Sequence, residues 1–109
     1  MKMQAIPFGT TDWSQTEKTE HGGIGGVAHW RTQQFNEIRV RMVEYSPGYA
    51  ADHWCSKGHI LLVLAGELET ELADGRRFTL KAGMSYQVAD GAEPHRSSTR
   101  TGARLFIVD

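Results

Sequence analysis

The chain has 109 residues, and its 12 lysines and arginines nearly balance its 13 aspartates and glutamates, which leaves a net charge of −1. Its hydrophobic share of 39% and charged share of 23% are those of an ordinary globular domain. Because there is no basic surplus to neutralise phosphate groups, the composition excludes a nucleic-acid binder and a protein held on an anionic membrane surface. We therefore expect one small folded domain.

The chain contains a single cysteine, Cys55, which has no partner for an intrachain disulfide. This cysteine usage favours a reducing compartment. The amino terminus lacks the apolar stretch of a signal peptide. The longest apolar run, residues 60–65, is far shorter than the ~20 residues that span a bilayer. We expect a cytoplasmic protein with no membrane association.

The predicted elements begin with an arm. Residues 1–26, which include a Gly-Gly-Ile-Gly-Gly stretch, are expected to be irregular or to supply an edge strand. Residues 27–32 and 38–45 are predicted strands, and Pro47 with Gly48 forms a turn that ends the second one. The two faces of that second strand carry Ile38, Val40 and Met42 on one side and Arg39, Arg41, Val43 and Tyr45 on the other.

Residues 59–64 are apolar on both faces after the first position, which is typical of a strand covered on both sides. Gly66 is expected to close this strand, and residues 67–72 then alternate between glutamates and less polar side chains, as in a strand with one wet face. Further short strands are predicted at residues 77–80, 85–88, 96–100 and 104–108. The pattern predicts an all-β sandwich or small barrel. A domain this small with a two-sided apolar strand is expected to form a homodimer.

Three histidines and the cysteine have the spacing of a metal site. His53 and Cys55 would share a face of a strand, because residues i and i+2 point to the same side. A short reversal then allows His59 to begin the next strand facing the same interior, and His95 follows a turn-rich segment at the start of another strand. We predict these four residues as metal ligands.

The same residues lie in two motifs that resemble those of the cupin superfamily. The segment from Gly48 through His53, Cys55 and His59 to Gly66 is similar to the first cupin motif, G(X)5HXH(X)3,4E(X)6G. It has a shorter first spacer, cysteine at the second histidine position and histidine at the glutamate position. The segment Asp52-His53-Trp54-Cys55 also resembles the DHCW motif of a cupin subgroup, with the last two residues exchanged.

The second cupin motif, G(X)5PXG(X)2H(X)3N, resembles the segment from Gly83 through Gly91 and His95 to Thr99. This segment has Ala89 at the proline position and one extra residue before the histidine. The resemblance implies a single RmlC-like cupin domain over residues 1–109. Its fold would be a single double-stranded antiparallel β-barrel, jelly-roll-like, with the barrel core and both motifs in residues 40–108.

The resemblance further implies one divalent metal ion inside the barrel, and three imidazoles with one thiolate leave zinc, iron, nickel and copper open. Arg41, Tyr49 and Tyr86 are candidate pocket-lining residues. Arg39 and Arg41 more often belong to a solvated face, but barrel strands alternate inside and outside, so one of them could point inward and hold a carboxylate. A small organic molecule is the expected ligand, and cupin resemblance permits oxygenase and isomerase chemistry alike. The alternatives are a non-catalytic binding or sensing domain with a structural metal, and a redox-responsive thiol at Cys55.

Overall fold

A computed structural model describes residues 2–109. It contains eight strands, all paired antiparallel. The strands are β1 (Lys18–Gly22), β2 (Val27–Phe35), β3 (Ile38–Tyr45), β4 (His59–Leu72), β5 (Arg77–Lys81), β6 (Ser85–Val88), β7 (His95–Ser98) and β8 (Ala103–Val108). The strand order is β1-β2-β3-β8-β4-β5, with β6 and β7 also paired to β4. This architecture confirms the predicted all-β fold and agrees with a jelly-roll barrel.

Strand β4 joins the two layers of the barrel. Its first half pairs with β8 and β6, and its second half pairs with β5 and β7. The prediction that Gly66 ends this strand is wrong, because the strand runs for 14 residues. The register with β8 shifts between Val63 and Ala65, and Gly66 follows with φ of 79°. The glycine thus permits a bulge that re-aims the strand, so Leu61 and Leu68 both face the core.

The core is formed by apolar side chains of four strands, β3, β4, β5 and β8. Its members are Val43, Leu61, Val63, Leu68, Leu80, Ala103, Leu105 and Ile107, with Trp30, Tyr45 and Tyr86 packed against them. Strand β3 therefore turns the face of Val43 and Tyr45 inward. The same face carries Arg41, which is only 6% exposed. The interpretation of Arg41 as part of a solvated face is wrong.

The outer face of the first half of β4 is apolar but exposed to solvent. Ile60 is 51% exposed and Leu64 is 38% exposed, although the sequence predicted a strand covered on both sides. Burying such side chains against a partner would be favourable. The homodimer remains a prediction.

The predicted amino-terminal arm supplies an edge strand, β1, which pairs with β2. A 3-10 turn at Trp13–Gln15 precedes it, and the guanidinium of Arg31 donates to the carbonyl oxygens of Trp13 and Thr16. These hydrogen bonds hold the segment around Trp13 against β2. Met1 lies outside the described residues. Among residues 2–109, no helix has the length and apolar character needed to cross a membrane.

Candidate metal centre

Cys55 and His95 are brought together by the backbone. The Cys55 amide donates to the His95 carbonyl at 2.7 Å, and the His95 amide donates to the Cys55 carbonyl at 3.0 Å. Residues that oppose each other in an antiparallel bridge place their side chains on the same side. Two ligand-type side chains that are distant in sequence therefore lie side by side.

His59 reaches the same place from the start of β4. The loop between Cys55 and His59 is fastened to the β6–β7 connection, because the Gly58 amide donates to the Asp90 carboxylate at 2.7 Å. The Nε2 atom of His59 lies 3.2 Å from Nε2 of His95. Ligand atoms of Cys55, His59 and His95 all lie within 4.8 Å of one another. The three side chains form a compact cluster, which we call the Cys-His-His cluster.

The hydrogen bonds leave nitrogen lone pairs facing the centre of this cluster. Nδ1 of His95 lies 2.9 Å from the carbonyl oxygen of Glu93. Because a carbonyl only accepts, Nδ1 must carry the proton, and Nε2 is left as an electron-pair donor. The Tyr86 hydroxyl lies 2.8 Å from Nε2 of His59 and can donate to its lone pair, a hydrogen bond that a metal ion on this nitrogen would replace. Two such nitrogens beside a thiol match the donors that borderline divalent metal ions prefer.

The pKa of His59 supports this assignment. Burial, followed by the charge of His95, lowers the pKa of His59 to about 4. The imidazole is therefore neutral at physiological pH, and its lone pair needs no prior deprotonation before a metal ion binds.

His53 lies apart from the cluster. Its side chain is 77% exposed, and its Nδ1 is 2.7 Å from the Asp52 carboxylate. The chain bends at residues 52–53. The i, i+2 alternation assumed between His53 and Cys55 therefore does not apply. A ligand role for His53 stays a prediction from the motif alone.

An ion-pair cluster, which sequence reasoning missed, lies on the other side of His59. The carboxylate of Asp109 is 1% exposed and accepts from Arg39 at 2.9 and 2.8 Å and from Arg41 at 3.0 Å. Burial opposes ionisation of Asp109, but the Arg39 hydrogen bond and the charges of Arg41 and Arg39 outweigh it and lower the pKa of this carboxyl. Arg41 also lies over the Trp30 ring, 4.4 Å from its centroid. Asp109 thus explains how β3 can turn an arginine inward.

A cavity of about 220 Å³ adjoins the Cys-His-His cluster. Tyr86 and His95 lie in its wall, together with apolar side chains and with four further polar or charged ones. The apolar wall residues are Leu72, Phe78, Leu80 and Val88, and the polar or charged ones are Thr70, Arg76, Gln87 and Glu93. Tyr86, a candidate pocket-lining residue, borders this cavity, and its role in ligand binding remains a prediction.

The other two candidate pocket-lining residues lie elsewhere. Tyr49 stacks on Tyr45 with ring centroids 4.2 Å apart and borders a separate hollow that also includes Gly48 and Thr99. Arg41 belongs to the ion-pair cluster with Asp109. Their roles in ligand binding remain predictions.

No protein-family model matches this sequence, and no curated protein matches it either. Solved structures do match. An RmlC-like cupin from Shewanella frigidimarina is 25% identical and superposes with a TM-score of 0.70, covering 96% of this chain and 88% of that one. The chain has the fold of a small cupin.

Two further structures have the same fold at lower identity. A predicted oxalate decarboxylase from Thermotoga maritima has a TM-score of 0.76 and 18% identity over 91% of this chain and 96% of that one. A sugar phosphate isomerase of the cupin superfamily from Silicibacter pomeroyi has a TM-score of 0.72 and 16% identity over 92% of this chain and 74% of that one. The named activities differ, so the cupin fold alone selects no reaction. The DHCW subgroup stays a prediction.

Proposed function

We propose that this cupin binds one divalent metal ion through Sγ of Cys55 and Nε2 of His59 and His95, and presents it to a small organic molecule. The observation that carries the proposal is the convergence of the three ligand atoms within 4.8 Å. One of them comes from β4, one from β7 and one from the loop before β4. Three separate segments thus supply a compact donor set.

The adjoining cavity is the reason for proposing a ligand site rather than a purely structural metal. Structural zinc sites are closed by four protein ligands, whereas three protein ligands leave a position for water or substrate. His95 belongs to both the cluster and the wall of the 220 Å³ cavity, so a molecule in the cavity would lie beside the ion. When bound, a divalent ion would supply a Lewis acid that polarises an oxygen of that molecule.

The side chains of the cavity set the kind of molecule it would accept. The wall combines apolar groups, including Leu80 and Val88, with the hydroxyls of Thr70 and Tyr86, and the half-exposed ion pair of Arg76 and Glu93 also borders it. Burial is the largest influence on the Tyr86 hydroxyl and raises its pKa, so it remains a proton-bearing donor. These groups would orient an oxygen-containing molecule of a few heavy atoms, such as a small carboxylate or a phenol.

Metal titration of purified variants tests the donor set. The wild-type protein is expected to bind one equivalent of Zn²⁺ or Co²⁺ in competition with a chromophoric chelator. Cys55→Ser and His95→Ala are expected to lose most of this affinity, whereas His53→Ala is expected to keep it. Loss of metal only in His53→Ala would overturn the proposed donor set and favour the one predicted from the motif.

A cobalt-loaded sample tests the cavity. Small carboxylates or phenols that reach the ion should change the visible absorption of Co²⁺. Val88→Phe, which fills part of the cavity, should weaken this response without releasing the metal, and Ile60→Phe on the exposed face of β4 is the matched control. A closed site would give no spectral response to any of these molecules and would indicate a structural metal.

A further inference from the structure

We propose that Asp109 is a positioning residue of the metal centre: its carboxylate holds His59 with the ring proton on Nδ1, so that Nε2 presents its lone pair to the Cys-His-His cluster. The inference rests on the proposed function, because it concerns the same metal site. Asp109 belongs to neither of the segments that resemble cupin motifs. It also contacts none of the three proposed metal-binding atoms, Sγ of Cys55 and Nε2 of His59 and His95.

The first observation is the unpartnered ring nitrogen of His59. Within residues 2–109, Nδ1 of His59 is buried and makes no hydrogen bond. The oxygen atom Oδ2 of Asp109 lies 3.9 Å from it, beyond hydrogen-bond length but within the range of an electrostatic attraction. A carboxylate has only acceptor sites, so a proton on Nδ1 is attracted to it, whereas a lone pair on Nδ1 would be repelled.

The second observation is that the opposite edge of the same ring faces the other donors. Nε2 of His59 lies 3.2 Å from Nε2 of His95, and the His95 nitrogen is already assigned as a lone pair by its bond to the Glu93 carbonyl. With Nδ1 protonated, the His59 ring also turns a lone pair toward this point. A histidine that ligates a metal commonly directs its other ring nitrogen at a carboxylate, which fixes the tautomer and the ring orientation.

The third observation is the rigidity of Asp109. Both of its carboxylate oxygens accept hydrogen bonds from Arg39, and Oδ2 also accepts one from Arg41. Its backbone is fixed as well, because the Asp109 amide donates to the Arg39 carbonyl at 2.8 Å. The carboxylate therefore has one orientation toward His59. Arg39 and Arg41 would act through Asp109 rather than on the metal.

Substitution of Asp109 by asparagine tests the proposal on the full chain. Asp109→Asn keeps the size of the side chain but removes its charge, and the affinity for Zn²⁺ is expected to fall by about 10- to 100-fold. Asp52→Asn is the matched control, because Asp52 also contacts a histidine but that histidine, His53, is outside the cluster. Its affinity is expected to stay at the wild-type value. Equal affinity of Asp109→Asn and wild type would overturn the proposal.

Nitrogen NMR of the metal-free wild-type protein provides a second readout that does not require the variant to fold. The ¹⁵N shifts of His59 should show the proton on Nδ1, and in Asp109→Asn they should move toward a mixture of tautomers. A proton on Nε2 in the wild type would refute the role of Asp109. Because this measurement uses metal-free protein, it still tests whether Asp109 sets the His59 tautomer if the wild type proves to bind no metal, a result that would refute the proposed function.

Discussion

Gly58→Ala is expected to destabilise the fold and the metal centre together. A Cβ atom at Gly58 would lie 2.6 Å from the Asp90 amide nitrogen and 2.8 Å from both the Ala89 carbonyl carbon and the Val88 carbonyl oxygen. All three atoms belong to the backbone, so the two loops must separate. Overpacking of this kind costs about 1–3 kcal/mol, and disturbing the hydrogen bond from Gly58 to Asp90 adds about 1 kcal/mol.

Urea unfolding of the chelator-treated protein measures this cost. We expect the free energy of unfolding of Gly58→Ala to fall by roughly 2–4 kcal/mol, the sum of these two effects. Gly9→Ala is the matched control, because a Cβ there meets no atom within 4 Å. Its free energy of unfolding is expected to change by less than about 0.5 kcal/mol. An equally small change in Gly58→Ala would refute the close approach of the two loops that position Cys55, His59 and His95.

Three further outcomes follow from the structure. In metal-free protein the His59 ring should stay neutral until the pH falls to about 4. Its contribution to the free energy of unfolding is therefore complete above about pH 6.5 and is lost as the pH falls toward 4. An NMR titration in which the His59 ring protonates near pH 6.5 would contradict this. Thr99→Val removes the hydroxyl that donates to the Glu67 carbonyl and accepts from the Gly102 amide, and urea unfolding should show a loss of about 1–3 kcal/mol; an unchanged midpoint would mean that these bonds contribute nothing net. Sedimentation at micromolar concentration should show a dimer that Leu64→Glu converts to a monomer, and a monomeric wild type would overturn the predicted homodimer.

Features with a local pattern could be predicted from the sequence. Strands β3 and β6 have the predicted bounds, because alternation and flanking turn residues define both of them. Gly66 misled the interpretation of β4, since a glycine that ends a strand and a glycine within a bulge look alike in sequence.

The site could be predicted in part, from the spacing of its ligand-type residues together with the two motifs that resemble those of cupins. Cys55 and His95 are brought together by a bridge between distant segments, which no local pattern encodes. His53 fits the motif spacing, but a bend turns it away from the cluster. Asp109 escaped notice because its partners on β3 are about seventy residues away, and an ion pair of that span leaves no periodic signal.

X-ray absorption with elemental analysis, on protein purified without an affinity tag, tests the central claim most directly. The account predicts one equivalent of a divalent transition metal whose nearest neighbours include one sulfur atom and two imidazole nitrogens. A metal without a sulfur neighbour, or no metal after reconstitution, would contradict the assignment of Cys55, His59 and His95 as its ligands.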